Sequence, residues 1–389
     1  MNLTWSQLMK LAVEFRHELH ANPELTWQEV DTAKRIRVML DKHDISWREC
    51  TITGTVATLA QDARGEHIAL RGDIDALPMD EKNSFDYVST RAQCMHACGH
   101  DGHTATLMAA AIWLKQHEAE LSNPITLIFQ PAEEGGHGAK KMVEEGCLKG
   151  VDFIYGWHNW PAIPFGKAVC PDGIVMAGNG TFHIQVNGKG GHSSQPELCL
   201  DPVLAASAIV VALQQIVSRR ITPQKIAVVS VTYMEAPSGE TTIPDVAQLG
   251  GSIRVYDDTM RDEIFFSIKE IAQNIAKAYG VEAIVALKPR YSATVNDPKA
   301  AQNMREVLRQ NLGEDYHSSI NVPIMASEDF SYYLQQIPGA FALIGSDDGG
   351  ESHDKPCHNV HYDFNDKLIE SVSKVFIQLA GLQGQGHEK

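Results

Sequence analysis

Residues 96 to 103 read His-Ala-Cys-Gly-His-Asp-Gly-His, a thiol, three imidazoles and a carboxylate within eight positions. Cys98 and His100, with Gly99 between them keeping the turn open, can aim a sulfur and a nitrogen at one point, which is metal-ligand spacing. Taken alone the octet admits a plainer reading, with Cys98 a buried small apolar residue and the histidines capping a helix or facing water. Further polar clusters bear on the choice: Asp73 with Asp75, Glu133 with Glu134, His158 and His358. Each has its own structural alternative. Glu133-Glu134 suits a helix N-terminus, and His158 between Trp157 and Trp160 suits an aromatic packing position. Together they form the inventory that two metal ions about 3.5 Å apart require, with nitrogen and carboxylate ligands for each and one group to bridge them.

Such clusters must be delivered by secondary structure. Gly54 to Leu59 and His67 to Leu70 read as short strands, the second leading straight into Arg71-Gly72-Asp73-Ile74-Asp75. Ile125 to Phe129 reads as a buried strand that runs into Glu133-Glu134, and Phe153 to Gly156 as one that ends at Trp157-His158. Strands that release polar clusters at one end describe an α/β catalytic domain with a single site edge. Helical periodicity covers 4–20, capped by Thr4 with Leu8, Leu11, Ala12, Phe15 and Leu19 inward. It covers 27–42, with Val30, Ala33, Ile36, Arg37 and Leu40 inward, and then 104–116. From about Gly178 the texture changes to strand 181–186, helix 201–218, strands 226–234 and 247–255, helix 259–279 and strand 281–287. That order, βαββαβ, is the ferredoxin-like arrangement. A helix over 298–312, a strand over 340–344 and a helix over 365–382 return to the first pattern. The expected architecture is a catalytic α/β domain of residues 1–178 and 295–389, interrupted by an α+β domain of residues 179–294. The tail from Gln383 is expected to fray.

Composition sets limits. The 389 residues exceed one ordinary core. With 49 acidic against 33 basic residues and a net charge of −16, no basic stripe can neutralise a phosphate backbone, so nucleic acid is not an expected partner. No apolar run reaches the ~18 residues of a membrane span, and no basic-then-apolar segment marks the N-terminus, so a cytoplasmic protein without a membrane partner is expected. Seven scattered cysteines fit reduced thiols better than a disulfide framework.

At this point the chain resembles the dinuclear metallo-amidohydrolases, the family of bacterial aminoacylases, hippurate hydrolase and plant auxin-conjugate hydrolases. The likeness spans nearly the whole chain. It rests on RGDIDALP (71–78), MHACGHDGHTA (95–105), FQPAEEGGHGA (129–139), GWHNWPAIPFG (156–166), GKGGHSSQP (188–196), IPDVAQLGGSIR (243–254), SEDFSYYL (327–334) and CHNVHYDFND (357–366). The resemblance implies a metallo-exopeptidase-like catalytic domain with an inserted ferredoxin-like lid and dimerisation domain. It implies two divalent ions, zinc or manganese with cobalt or nickel admitted, held by Cys98 as the bridge with His100, Glu134, His158 and His358. Glu133 becomes the general base, and Asp75 orients His100, a role for which Asp73 is a rival. His192 becomes the oxyanion donor, reaching a partner subunit's site in a homodimer. Arg254 and Asn179 become candidates for gripping a substrate carboxylate or the oxyanion.

The implied reaction is hydrolysis of an N-acyl amino acid, N-acetyl being the simplest case, to a carboxylate and a free amino acid. Two positions depart from the family pattern: Glu197 stands after Pro196 where histidine is usual, and Thr242 stands where asparagine is usual. An acid at position 197 favours a cationic group, which points to an acylated diamino acid. The alternatives are a metallo-dipeptidase and a homologue that binds metal or ligand without catalysis.

Overall fold

A computed structural model describes residues 2–350 and 352–382; the tail expected to fray lies outside them. The chain divides into two compact units, Met1–Val175 with Thr294–Val322 and Asp329–Lys389, and Met176–Ala293 with Pro323–Glu328.

The first unit is built on a seven-stranded sheet in the order Ser46–Cys50, Gly54–Leu59, Ile125–Gln130, Ile68–Asp73, Phe153–Pro164, Gly339–Asp347, Ala168–Val169. The four strands from Ile125–Gln130 to Gly339–Asp347 run parallel, and the outer ladders are antiparallel. Every residue of Ile68–Asp73 and Ile125–Gln130 is buried, because both sheet faces are covered and the strands need no polar side. Helix His100–Gln116 packs against strand Ile68–Asp73 and between helices Trp5–Ala21 and Lys367–Leu379. It is buried nearly all round, which explains its Ala-rich, unamphipathic sequence. Helix Trp5–Ala21 begins at Thr4, whose hydroxyl and Gln7 form a capping box.

Several boundaries differ from the sequence expectation, each for a local reason. The helix expected from Thr104 begins at His100, because Gly99 sits in the left-handed region at φ 91° and turns the chain directly into it. A Cβ at Gly99 would also lie 2.2 Å from Asn159 Oδ1, so only glycine fits there. The strand expected to end at Gly156 runs on to Pro164, paired with Gly339–Asp347, so His158 lies in mid-strand. The helix expected from Trp27 begins at Val30, because Trp27 is left-handed (φ 64°) and its N–H turns back to Glu29 Oε1. Val30, expected inward, is 63% exposed.

The second unit is an antiparallel four-stranded sheet, Ala227–Glu235, Val246–Val255, Gly178–Asn187, Glu282–Pro289, with helices Pro202–Leu213 and Asp258–Ala278 packed together in its core. Numbered within the unit, the strand order is 2-3-1-4, the ferredoxin-like arrangement. Strand Gly178–Asn187 alternates perfectly between buried and half-buried residues, so one sheet face is apolar and the other presents Thr181, His183 and Gln185. The stretch Pro202–Arg220 has the length and apolarity of a membrane span, yet Ala205, Ala206, Ile209, Leu213 and Ile216 belong to this unit's core.

Candidate metal centre

The carboxyl ends of the parallel strands and the start of helix His100–Gln116 gather the ligand-type side chains of the first unit. Cys98, His100 and His158 offer ligand atoms within 4.8 Å of one another, and so do Cys98, Glu134 and His358. Cys98 belongs to both groups. A third group, His100 with Glu133 and Glu134, meets the same limit. All the metal ligands expected from the sequence are therefore in one place, together with the expected base.

The imidazoles are prepared for a cation. His158 Nδ1 donates to the Asn159 carbonyl at 2.6 Å, which leaves Nε2 unprotonated and 3.3 Å from the Cys98 sulfur. Burial, reinforced by His103, holds the His158 ring well below the usual histidine range and so neutral. His100 Nδ1 lies 3.0 Å from the Asp75 carbonyl and 3.2 Å from Asp75 Oδ1, while the buried Nε2 has no hydrogen-bond partner. Burial works against charge on this ring, but the carboxylates of Asp73 and Asp75 outweigh it and push its pKa up to about 10. A neighbouring Cys357 thiol, burial, and the carboxylates of Glu134 and Glu133 raise the Cys98 thiol well above its ordinary value. A site that pulls protons onto a thiol and an imidazole is one from which a divalent cation displaces them. The orphaned Nε2, the facing sulfur and nitrogen, and the mixed thiol, imidazole and carboxylate set fit a pair of divalent ions.

Asp75 and Asp73 are told apart by their partners. Asp75 Oδ1 faces His100 Nδ1 and accepts from Glu133 N at 3.1 Å, while Oδ2 accepts from Glu134 N at 3.0 Å and from the Thr26 hydroxyl at 2.9 Å. Asp73 is occupied by Arg71 Nη1 at 2.6 Å and His103 at 2.6 Å, and His103 is held on its other side by Asn159 Oδ1 at 2.7 Å. That satisfied cluster braces the metal-ligand cluster from behind. Glu133, 6% exposed, accepts from Asp329 N at 3.4 Å. Asp329 is itself fixed by Gln130 and by Ala139 N, each at 2.9 Å. His358 (φ 66°) donates its backbone N–H to the Ala97 carbonyl at 2.7 Å, and its Nε2 lies 3.2 Å from Glu134 Oε1.

The other expected site residues belong to the second unit. His192 is exposed on the short strand Gly191–His192, opposite Thr242. Its Nδ1 takes the Ser194 hydroxyl at 2.7 Å and the Ser194 N–H at 3.2 Å, which leaves the proton on Nε2. Arg254 and Asn179 are direct cross-strand partners. Arg254 Nη1 donates to the Ser327 hydroxyl at 2.7 Å, and Asn179 Oδ1 accepts from Tyr291 N at 2.9 Å. Glu197 is exposed on the turn of helix Pro196–Leu198. Sequence reasoning missed Asn159, which joins His103 to the Tyr362 hydroxyl, the latter at 2.7 Å. Its position beside His158 was the available signal. It also missed Glu29, which falls inside the helix expected over 27–42, where nothing marks it as a buried acceptor.

Comparison with known proteins gives the class. The model of peptidase family M20/M25/M40 matches residues 69–381, and the chain belongs to that family. Hippurate hydrolase of Campylobacter jejuni is 37% identical over 386 residues, covering 98% of this chain and 99% of its own. N-acetyl-L-cysteine deacetylase of Bacillus subtilis is 37% identical, covering 90% of this chain and 83% of its own. The crystal structure of a dinuclear metal-binding peptidase of this family from Bacillus subtilis superposes with a TM-score of 0.81 at 32% identity, over 96% of this chain and 98% of that one.

Proposed function

We propose that this protein is a metal-dependent hydrolase that cleaves the amide bond of N-acyl amino acids, giving a carboxylate and a free amino acid. The observation that carries the reading is Cys98 shared between two ligand groups, one with His100 and His158 and one with Glu134 and His358. The hippurate hydrolase and N-acetylcysteine deacetylase relatives supply the substrate class. Cys98, His100, Glu134, His158 and His358 would hold two divalent ions, which would supply positive charge for the developing oxyanion and lower the pKa of a water. The thiol favours zinc, while the imidazoles and carboxylate also accept manganese, cobalt or nickel.

Glu133 takes the proton of the attacking water and returns it to the nitrogen of the leaving amine. Its backbone N–H is held by Asp75 and its carboxylate accepts from Asp329 N, which orients it. His192, with its proton on Nε2, donates to the oxyanion, and the Arg254 guanidinium receives the substrate carboxylate. Glu197 on the His192 loop favours a cationic side chain, so Nα-acetyl diamino acids are the preferred members of the class.

A homodimer built on the second unit fits its exposed apolar residues, Leu204 and Val211 on helix Pro202–Leu213 and Val228 and Met234 on the edge strand Ala227–Glu235. Cytoplasmic residence fits seven free cysteines. The test is turnover by metal-loaded protein of Nα-acetyl-lysine, Nα-acetyl-diaminobutyrate, Nα-acetyl-leucine, hippurate and a dipeptide panel. Faster turnover of the first two supports the diamino acid; preference for leucine or hippurate removes that part, and preference for dipeptides removes the class.

A further inference from the structure

Three consecutive backbone amides carry the loop on which the base stands, and all three donate to buried carboxylates. Glu133 N and Glu134 N donate to Asp75, and Ala132 N donates to Glu29 Oε1 at 2.9 Å. Glu29 lies outside the metal cluster, at the N-cap of helix Val30–Lys42, and is 0% exposed. Its Oε1 also accepts from Trp27 N at 3.0 Å, and its Oε2 accepts from the Thr53 hydroxyl at 2.8 Å. The same turn grips the loop again through the Trp27 indole, whose Nε1 donates to the Gly136 carbonyl at 3.0 Å.

This grip matters because the loop is not relaxed. Ala132 is left-handed at φ 56°, a conformation that a residue with a Cβ keeps only when its surroundings impose it. Its N–H donates to Glu29 Oε1. A change at Ala132 passes directly to the next two residues, the expected base and a metal ligand.

We infer that Glu29 is a positioning residue for the hydrolytic reaction, holding Ala132 so that the Glu133 carboxylate stays at its working place while Glu29 itself touches neither substrate nor metal. This role rests on the hydrolase reading given above. It needs an oxygen acceptor at a fixed reach and not a negative charge: Oε1 takes the two N–H groups, and Oε2 can meet the Thr53 hydroxyl whether it accepts or donates. Burial together with the Asp75 carboxylate pushes the Glu29 carboxyl up to about 7, consistent with a group that works in either form. Glutamine reproduces that geometry. Leucine removes the acceptor, and aspartate withdraws it by one methylene.

The test uses full-length protein at saturating metal, with kcat and KM normalised to metal-loaded sites. Glu29→Leu and Glu29→Asp should lower kcat by about 100-fold, the loss typical of a reacting group misplaced by about 1 Å, with KM within about 3-fold of wild type. Glu29→Gln should restore kcat to within about 3-fold. If the leucine variant does not fold, the aspartate variant, which keeps the charge, decides. A merely structural role would reduce the folded fraction without changing kcat per loaded site. Wild-type kcat in Glu29→Asp, or a glutamine variant as slow as the aspartate variant, overturns the inference. Wild-type protein that turns over no acylated amino acid overturns the hydrolase reading instead, so the two failures are separable.

Discussion

His158 Nε2 stands 3.3 Å from the sulfur of Cys98, with the ring's other nitrogen tied to the Asn159 carbonyl. The imidazole is thus fixed in the tautomer that presents a lone pair toward the thiol. Because Cys98 also belongs to the Glu134 and His358 group, removing its sulfur affects both ligand sets. Cys98→Ala should therefore lose more than one of two bound ions after gel filtration, where His158→Ala loses only one. Elemental analysis reads this directly, and a Cys98→Ala protein retaining both ions contradicts the sharing of the thiol.

Asp75 accepts from Thr26, Glu133 N and Glu134 N and faces His100 Nδ1. An amide cannot accept all of these, so Asp75→Asn turns an NH2 group toward buried donors. The expected result is a loss of about 2 kcal/mol of stability and of about 10- to 100-fold in metal affinity. Urea unfolding of the metal-free protein and a chelator competition measure the two separately.

The Glu29 carboxyl, pushed up to about 7 by burial and by Asp75, gives stability a pH dependence of known sign. The folded protein holds this proton more tightly than the unfolded chain, whose carboxyl titrates near 4.5. Its contribution is favourable at low pH and is lost as pH rises from the unfolded pKa through the folded one. The full loss, above about pH 8, is about 3 kcal/mol. Glu29→Gln should abolish this part of the slope, so its Tm should fall less than the wild type's between pH 5 and pH 8. Parallel Tm curves for the two proteins contradict the assignment.

His192 is predicted to act across a dimer. His192→Ala should lower kcat by about 100- to 1000-fold and leave metal content unchanged. Mixed and reassociated with Cys98→Ala protein, it should recover about a quarter of wild-type activity, since half the dimers are mixed and each holds one complete site. No recovery on mixing contradicts action in trans.

Much of this was legible because it lay in contiguous motifs. Cys98-Gly99-His100, Glu133-Glu134, His158 and His358 each declare a ligand type, and hydrophobic runs such as 125–129 place the buried strands. Helix Pro298–Leu312 appears with its expected limits, because Asp297 caps it and Gly313 ends it. What was hidden is charge that folding buries in pairs. Arg16 and His20 lie on the inward face of helix Trp5–Ala21, where Asp101 meets both at 2.8 Å and Asp363 meets Arg16 at 2.6 Å. Nothing nearby in sequence marks them as buried, because their carboxylate partners lie 61 to 347 positions away. Glu29 was concealed because its partners, the Thr53 hydroxyl and Ala132 N, lie 24 and 103 positions away. The helix beginning at His100 was read late because polar residues buried at its first turn break the apolar pattern that marks a helix.

The proposed hydrolysis requires Glu133 to move the proton in a site whose metals are held by other residues. It is tested most directly by comparing metal-loaded wild type with Glu133→Ala for release of the free amino acid from an N-acetyl amino acid, with metal content measured on the same samples. The variant should keep two ions per chain and lose about 10²- to 10⁴-fold in kcat. A fully active Glu133→Ala protein contradicts it.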